Sequence, residues 1–244
     1  ILADAEFRKT SPAPGFYAIY MLHNHHFLAF VRMMQGQKAQ ALTAAREMVA
    51  GVPPQFMSDF APVVDGYMAI VPEVMMRFGM WNEILAEEAP PGNLPMAQAM
   101  WRFTRAVALN SLDRTEDCRA ERAKFLAAVK KVPRDWTFGN NKAHQLLRIA
   151  RHVLDGEIAA RQNRYREAVT QLSRAVKIED SLTYDEPPDW IIPVRHTLGI
   201  ALLRAGKYRE AEEAYREDLK KFPDNGWSLL GISQAFAKKK KTRE

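Results

Sequence analysis

The stretch GIALLRAGKYREAEEAYREDLKKFP, residues 199–223, aligns without a gap with GEIAARQNRYREAVTQLSRAVKIED, residues 156–180. Each copy begins with a glycine and contains YREA, starting at Tyr208 in one copy and at Tyr165 in the other. Apolar residues recur at helical spacing on both sides of a polar break, RAGK or RQNR. Each copy therefore predicts two helices joined by a short turn, and the repetition predicts a stack of such hairpins.

Small residues recur where the two helices of each copy must cross. Gly156 and Gly199 are equivalent, and so are Ala168 and Ala211. Bulky side chains at these positions would push the paired helices apart. The pattern predicts that position 199 faces its partner helix with no room for a side chain.

This pattern resembles the tetratricopeptide repeat, a helical hairpin of about 34 residues. Two positions depart from the family pattern, since Arg195 stands where the family prefers Trp and Asp218 where it prefers Ala. The resemblance implies a right-handed superhelix whose first helices line a concave groove, and a role in protein binding. The residues that carry it are Leu198, Gly199, Tyr208, Ala211, Tyr215 and Pro223.

Weaker copies of the pattern predict an all-α solenoid in a single domain, 1–237. The predicted hairpins cover about 17–53, 56–89, 95–133, 141–180 and 192–223, and a capping helix covers 225–237. We find no segment that predicts a strand. The last residues, KKKKTRE at 238–244, have no apolar face, and we expect them to form a basic disordered tail.

Composition narrows the classes of partner. The chain of 244 residues has 47% hydrophobic and 26% charged residues, which is ordinary for a globular protein. Most of its net charge of +6 lies in the tail, so we do not predict a nucleic-acid-binding protein. No apolar run is long enough to predict a membrane span, and the oligomeric state stays open.

The chain begins ILADAEFRKT, without an initiator Met or a signal pattern. The segment HNHHFLAFVRMMQG and the C-terminal repeat are similar in sequence to the C-terminal halves of a group of longer bacterial tetratricopeptide proteins. We therefore expect the chain to be part of a longer protein. The single Cys118 excludes an internal disulfide framework and leaves the compartment open, with a cytoplasmic location favoured.

The segment HNHH, residues 23–26, raises the question of a metal site. Two rings, those of His23 and His26, are predicted to share the groove stripe of one helix, while His25 points toward the partner helix. The alternative is that these rings are exposed to solvent or hydrogen-bonded within the protein. A stable metal site needs three or four ligands, so no metal centre and no cofactor are predicted.

Applying the same helical register to each hairpin predicts an apolar groove with scattered His and Glu side chains. Such a groove suits an extended peptide or a helix with apolar anchors. For the methionines, simple core filling is the competing interpretation. The predicted lining is His23, His26, Phe30, Met33, Glu73, Met76, Phe103, Asn110, Glu157 and His196.

An insertion, SLTYDEPPDWIIP at 181–193, separates the last two hairpins. One interpretation is a rim loop that offers side chains to a partner, with Arg195 pairing to a loop carboxylate. The other is that Trp190 plugs a gap between hairpins while the carboxylates cap the next helix. The rim residues are Tyr184, Asp185, Glu186, Trp190 and Arg195.

The sequence lacks the motifs of phosphate-binding loops, zinc hydrolases and serine hydrolases. Cys118 occupies the small-residue slot of a second helix, which predicts a buried thiol rather than a nucleophile. We therefore expect a non-catalytic scaffold that binds a protein or peptide segment. The alternatives are a solenoid that binds a small ligand or metal through groove histidines, and an enzyme with a His and acidic site in the groove.

Overall fold

A computed structural model describes residues 1–11 and 15–241 of the chain. Neighbouring helices pack against one another along the chain, which confirms the predicted all-α helical-repeat fold. The α-helices within these ranges are α1 Leu2–Thr10, α2 Ala18–Met34, α3 Lys38–Ala50, α4 Pro54–Val64, α5 Ile70–Arg77, α6 Trp81–Ala86, α7 Pro95–Ser111, α8 Thr115–Val129, α9 Ala143–Arg161, α10 Tyr165–Asp180, α11 Val194–Arg204, α12 Tyr208–Lys221 and α13 Gly226–Lys241.

Tight turns of one kind join the helices of each pair. In each turn one residue has a positive φ, a conformation that glycine adopts freely and that Asn and Asp tolerate. This residue ends the first helix and reverses the chain, so that the second helix packs antiparallel to the first. The residues are Gly36, Gly79, Asp113, Asn163 and Gly206.

The small residues of the repeat lie at the helix crossings. A Cβ atom at Gly156 would lie 2.7 Å from the Leu172 side chain, and one at Gly199 would lie 2.2 Å from the Tyr215 ring. Gly231 on α13 faces the same ring from the other side, where a Cβ would lie 2.3 Å from it. Tyr215 therefore fills a space that exists only because both neighbours are glycines.

The second hairpin is irregular. Helix α4 is kinked at Phe60, two residues before Pro62, and a 3-10 helix, Asp65–Ala69, separates it from α5. The Asp65 carboxylate accepts the backbone N–H groups of Met96 and Ala97, at 2.6 and 2.9 Å, and so caps the start of α7. Burial raises the pKa of this carboxyl to about 6.

Two short strands, Thr137–Phe138 and Asn141–Lys142, form an antiparallel pair between α8 and α9. The sequence predicted no strand, so this expectation is corrected. Strands of two residues are too short to show the alternating pattern from which a strand is recognised. The turn between them is held by a glycine, Gly139, at a φ of +53°.

Helix α13 runs to Lys241, four residues beyond the predicted end of the cap at 237. Residues 238–241 are thus helical rather than disordered, while 242–244 lie outside the described residues. The Lys239 ammonium group donates to the Glu212 carboxylate of α12 at 2.5 Å. This bond fastens the last turn of α13 to its neighbour. No helix in the described ranges is both long enough and apolar enough to span a membrane.

Candidate binding site

The two ends of the helical stack meet. The Trp227 indole N–H, on α13, donates to the Met33 carbonyl oxygen of α2 at 3.3 Å. The rings of Phe30 and Phe222 have centroids 5.9 Å apart. The end of α12 and the start of α13 therefore contact α2.

The histidines of HNHH consequently differ in their surroundings. His26 is buried, with its ring centroid 5.2 Å from that of Tyr67 and 6.0 Å from that of Phe138. Desolvation lowers the pKa of His26 to about 3, so the ring is neutral at physiological pH. His23 is exposed. The His25 Nδ1 atom lies 3.6 Å from a Glu47 carboxylate oxygen on the partner helix α3.

Most of the predicted groove lining is inside the core. These side chains contact other parts of the protein rather than solvent. The 3-10 helix and the strand pair cover His26, and Trp190 of the insertion lies against Phe103. Burial raises the pKa of Glu73 in this group to about 8. The buried members of the predicted set are His26, Phe30, Met33, Glu73, Phe103, Asn110 and His196.

His196 belongs to a buried hydrogen-bonded cluster at the C-terminal end. Its Nε2 atom lies 2.9 Å from an oxygen of Asp218, and the Ser228 hydroxyl donates to that same oxygen at 2.6 Å. Asn225 donates to it as well, at 2.7 Å. Because the serine is bonded to the aspartate rather than to the histidine, the three do not form a nucleophile–base relay. The cluster fastens α11, α12 and α13 together.

The insertion is tied to the strand pair rather than projecting from the rim. The Asn141 side chain donates to the carbonyl oxygen of Thr183 and to the carboxylate of Asp189, and it accepts the Thr183 backbone N–H. The Asp185 carboxylate accepts the Asn140 backbone N–H at 3.0 Å. A Cβ atom at Gly139 would collide with both of these carboxylates.

Two of the predicted rim residues, Trp190 and Arg195, do not have the surroundings expected for a rim. The ring of Trp190 is buried, with its centroid 5.9 Å from that of Phe103. Arg195 does not pair with a loop carboxylate. Its guanidinium makes two bonds of 2.7 Å to Asp180 at the end of α10, because that helix ends directly beside α11.

The remaining rim residues are exposed or partly exposed. Tyr184 is 74% exposed, and its hydroxyl bonds to Glu186. Burial raises the pKa of Asp189 to about 7, helped by the nearby Asp185 carboxylate. The insertion thus combines an exposed tip with a buried base.

A pocket of about 290 Å³ lies between the insertion and helices α5, α6, α7, α9 and α11. It brings together three residues that the sequence predicted separately, namely Met76, Glu157 and Trp190. The other residues of its wall are Arg77, Trp81, Val107, Ser111, Val153, Ile192, Val194, Thr197, Ile200 and Arg204. We call this space the concave pocket.

The concave pocket contains both basic and acidic side chains. The Nε and Nη2 atoms of Arg77 are buried and have no hydrogen-bond acceptor among the described residues, while Arg77 Cζ lies 3.8 Å from the centroid of the Trp227 ring. Desolvation lowers the pKa of Arg77 to about 10, so it stays charged at neutral pH. Burial raises the pKa of Glu157, and the charge of Arg204 opposes this shift.

Sequence reasoning did not assign Arg77, Trp81 or Arg204 to the site. The predicted register assumes regular repeats, whereas the second hairpin is kinked in α4 and contains a 3-10 helix before α5. A signal was nevertheless present, because Arg77 directly follows Met76 of the predicted stripe and Arg204 lies one turn after Ile200. Within the described ranges, no group of three or more His, Cys, Asp or Glu side chains is arranged to hold a metal ion.

A family model described as the tetratricopeptide repeat matches residues 193–225, which contain α11 and α12. The chain carries a tetratricopeptide repeat. Tetratricopeptide repeats generally mediate protein–protein interactions and are generally non-catalytic. The comparisons with curated proteins and with solved structures give no match.

Proposed function

We propose that this protein is a non-catalytic scaffold that binds a segment of another protein in the concave pocket. The observation that carries the proposal is the pocket itself, since four helices, α5, α7, α9 and α11, and the insertion all contribute to its wall. Tetratricopeptide repeats generally bind proteins, and the pocket supplies a defined place for one side chain of a partner.

The pocket wall suits an apolar anchor. Val107 and Val153 are among the buried apolar residues of the wall, and Ile200, which is 48% exposed, lies where a ligand can reach it. Met76 adds a flexible side chain that adapts to a partner of irregular shape, and Trp81 adds a broad, rigid apolar surface. Burying a side chain of the size of leucine here would contribute about 2 kcal/mol to binding.

The positive charge of Arg77 favours an acidic residue of the partner next to that apolar anchor. Its Nε and Nη2 atoms have lost water on burial and gain no acceptor within the described residues, which is a costly arrangement for a charged donor. A partner carboxylate at the mouth of the pocket would be attracted by this charge and by that of Arg204, which also lines the wall. We therefore propose a segment with an apolar residue next to an acidic one.

The test starts from peptides selected for binding to the full chain from a displayed random library. The affinity of a selected peptide is then measured by fluorescence anisotropy for the wild type and for Ile200→Asp. The substitution places a charge in the pocket without disturbing the core, because Ile200 is already exposed. We expect a loss of affinity of about 100-fold or more.

Phe27→Asp is the matched control, since Phe27 is an exposed apolar residue of α2 that does not line the concave pocket. It should leave the affinity unchanged. Equal losses for the two variants would show that the peptide binds elsewhere. Arg77→Met should weaken peptides that contain an acidic residue and leave purely apolar peptides unaffected.

A further inference from the structure

The last helix presents an apolar surface to solvent. Leu229, Leu230 and Phe236 are 49%, 56% and 48% exposed. The opposite side of α13 is packed, with Ser228, Ile232 and Ala235 buried against α11 and α12. We call the exposed side of α13 the outer face.

A run of four lysines, Lys238–Lys241, follows directly on this apolar surface in the same helix. Both Lys238 and Lys240 are exposed, and α13 has no acidic residue. The Lys239 ammonium group lies 5.2 Å from the centroid of the Phe236 ring and is also bonded to Glu212. The outer face therefore carries three large apolar side chains, with the exposed polar residues Ser233 and Gln234 between them, and its end is positive.

We propose that the outer face of α13 docks the protein on the surface of a membrane that contains anionic lipids. Leucine and phenylalanine side chains enter the boundary between headgroups and acyl chains, while lysines at the end of the helix reach the lipid phosphates. The helix lies along the surface and does not cross the membrane, in keeping with its length and its lysines.

Charge and apolar character together select this partner. A second copy of the chain paired in parallel on the same face would bring two lysine runs together, and their repulsion opposes such pairing. An antiparallel pairing would offer the lysines no acidic partner on α13, since this helix has no acidic residue. A nucleic acid would match the lysines, but its phosphate backbone gives an adjacent pair of exposed leucines nothing apolar to bury against. An anionic lipid surface satisfies both parts of the face.

The experiment measures co-sedimentation of the full chain with vesicles of phosphatidylcholine and phosphatidylserine, and with vesicles of phosphatidylcholine alone. We expect binding to the anionic vesicles that weakens as salt is added, and weak binding to the neutral ones. Replacing Lys240 and Lys241 with Gln should weaken binding by roughly fivefold for each lysine. Replacing Leu229 and Leu230 with Ser should weaken it by about tenfold.

The matched controls remove exposed lysines and exposed apolar side chains at positions outside α13. Lys130→Gln with Lys131→Gln removes two exposed lysines from the end of α8, and Phe16→Ser with Tyr20→Ser removes two exposed aromatic side chains from the other end of the stack. Both double variants should bind the anionic vesicles as the wild type does. Circular dichroism melts establish that every variant is folded.

Three results would overturn the proposal. The first is no binding to anionic vesicles, or equal losses for the α13 lysine pair and the control lysine pair. The second is binding to a DNA or RNA duplex that the lysine variant loses and the leucine variant keeps, together with no vesicle binding. The third is a dimer in light scattering that the leucine variant converts to a monomer, which would identify a second copy as the partner.

Discussion

Tyr215 is the residue on which the packing of the last three helices depends. Its ring lies between Gly199 and Gly231, and a Cβ atom at either position would come within 2.3 Å of it. We predict that Gly199→Ala lowers the free energy of unfolding by about 1–3 kcal/mol through overpacking. Gly92→Ala, where a Cβ would meet nothing within 4 Å, is the control. An unchanged thermal melt for Gly199→Ala would contradict this packing.

The burial of Glu73 predicts that the stability of the protein depends on pH. Burial raises its pKa from 4.5 to about 8, so between these values the folded state binds a proton that the unfolded state has released. The free energy of unfolding therefore falls as pH rises through this window, by up to about 1.4 kcal/mol per pH unit. Glu73→Gln removes the loss, and its advantage over the wild type should grow from pH 5 to pH 8.

The control for this measurement is Glu213→Gln, which changes an exposed acid of α12. Urea unfolding of the three proteins at each pH gives the comparison. Parallel curves for the wild type and Glu73→Gln would show that Glu73 is ionised in the folded protein at neutral pH.

At the scale of residues, the sequence predicted the close packing around Gly199, because the equivalent position of the other copy, Gly156, is also a glycine. It did not predict the burial of His26. The ring of His26 is covered by Tyr67 and Phe138, which belong to a 3-10 helix and a strand pair far away in the sequence. The helical register predicts the side of the helix on which a residue lies, but it does not predict which other elements of the fold cover that side.

At the scale of elements, the insertion depends on Asn141. Its side chain makes three hydrogen bonds to Thr183 and Asp189. We predict that Asn141→Ala releases residues 183–189, which hydrogen–deuterium exchange would record as faster exchange there. Asn140→Ala removes one exposed side-chain bond, to the Tyr184 carbonyl oxygen, and should have a smaller effect. Equal exchange in Asn141→Ala and the wild type would contradict the tethering role.

The end of α13 contributes little to folding. Lys239 pairs with Glu212 at the surface, and such pairs are worth about 0–1 kcal/mol. Deleting residues 238–244 should therefore leave the melting temperature within a few degrees of the wild type. A larger fall would show that the helix end is needed for the packing of α12 and α13.

Regular elements were predictable and irregular ones were not. Helices α9 to α12 follow the two copies of the repeat, including the turns at Asn163 and Gly206. The second hairpin resisted prediction because Pro62 and Pro72 interrupt its pattern, and the strand pair because four residues carry too little periodicity. These irregular elements position the insertion and Arg77, and so they shape the concave pocket.

At the scale of the whole molecule, Trp227 joins the two ends of the stack. It donates to Met33, and its ring contacts Arg77 and Phe78. We predict that Trp227→Ala costs about 3 kcal/mol of stability and increases the radius of gyration in small-angle X-ray scattering. Trp136→Ala is the control, since Trp136 packs elsewhere in the core. An unchanged radius for Trp227→Ala would show that other contacts are enough to keep the ends together.

The closed shape could not have been predicted from the repeat alone. Curvature accumulates from small rotations at each hairpin, and the irregular second hairpin and the insertion alter it. The strand pair, the insertion and the contact between the two ends together cover most of the predicted groove lining. They leave a smaller set around the concave pocket, which includes Met76 and Glu157.

The most direct test of the proposed function is methyl NMR of the isoleucine-labelled protein during titration with a selected peptide. Ile192 and Ile200 line the concave pocket, whereas Ile19 lies on α2 and Ile232 on α13. Binding in the concave pocket predicts that the methyl signals of Ile192 and Ile200 shift with added peptide, while those of Ile19 and Ile232 stay in place. Shifts confined to Ile19 or Ile232, with Ile192 and Ile200 unmoved, would contradict it.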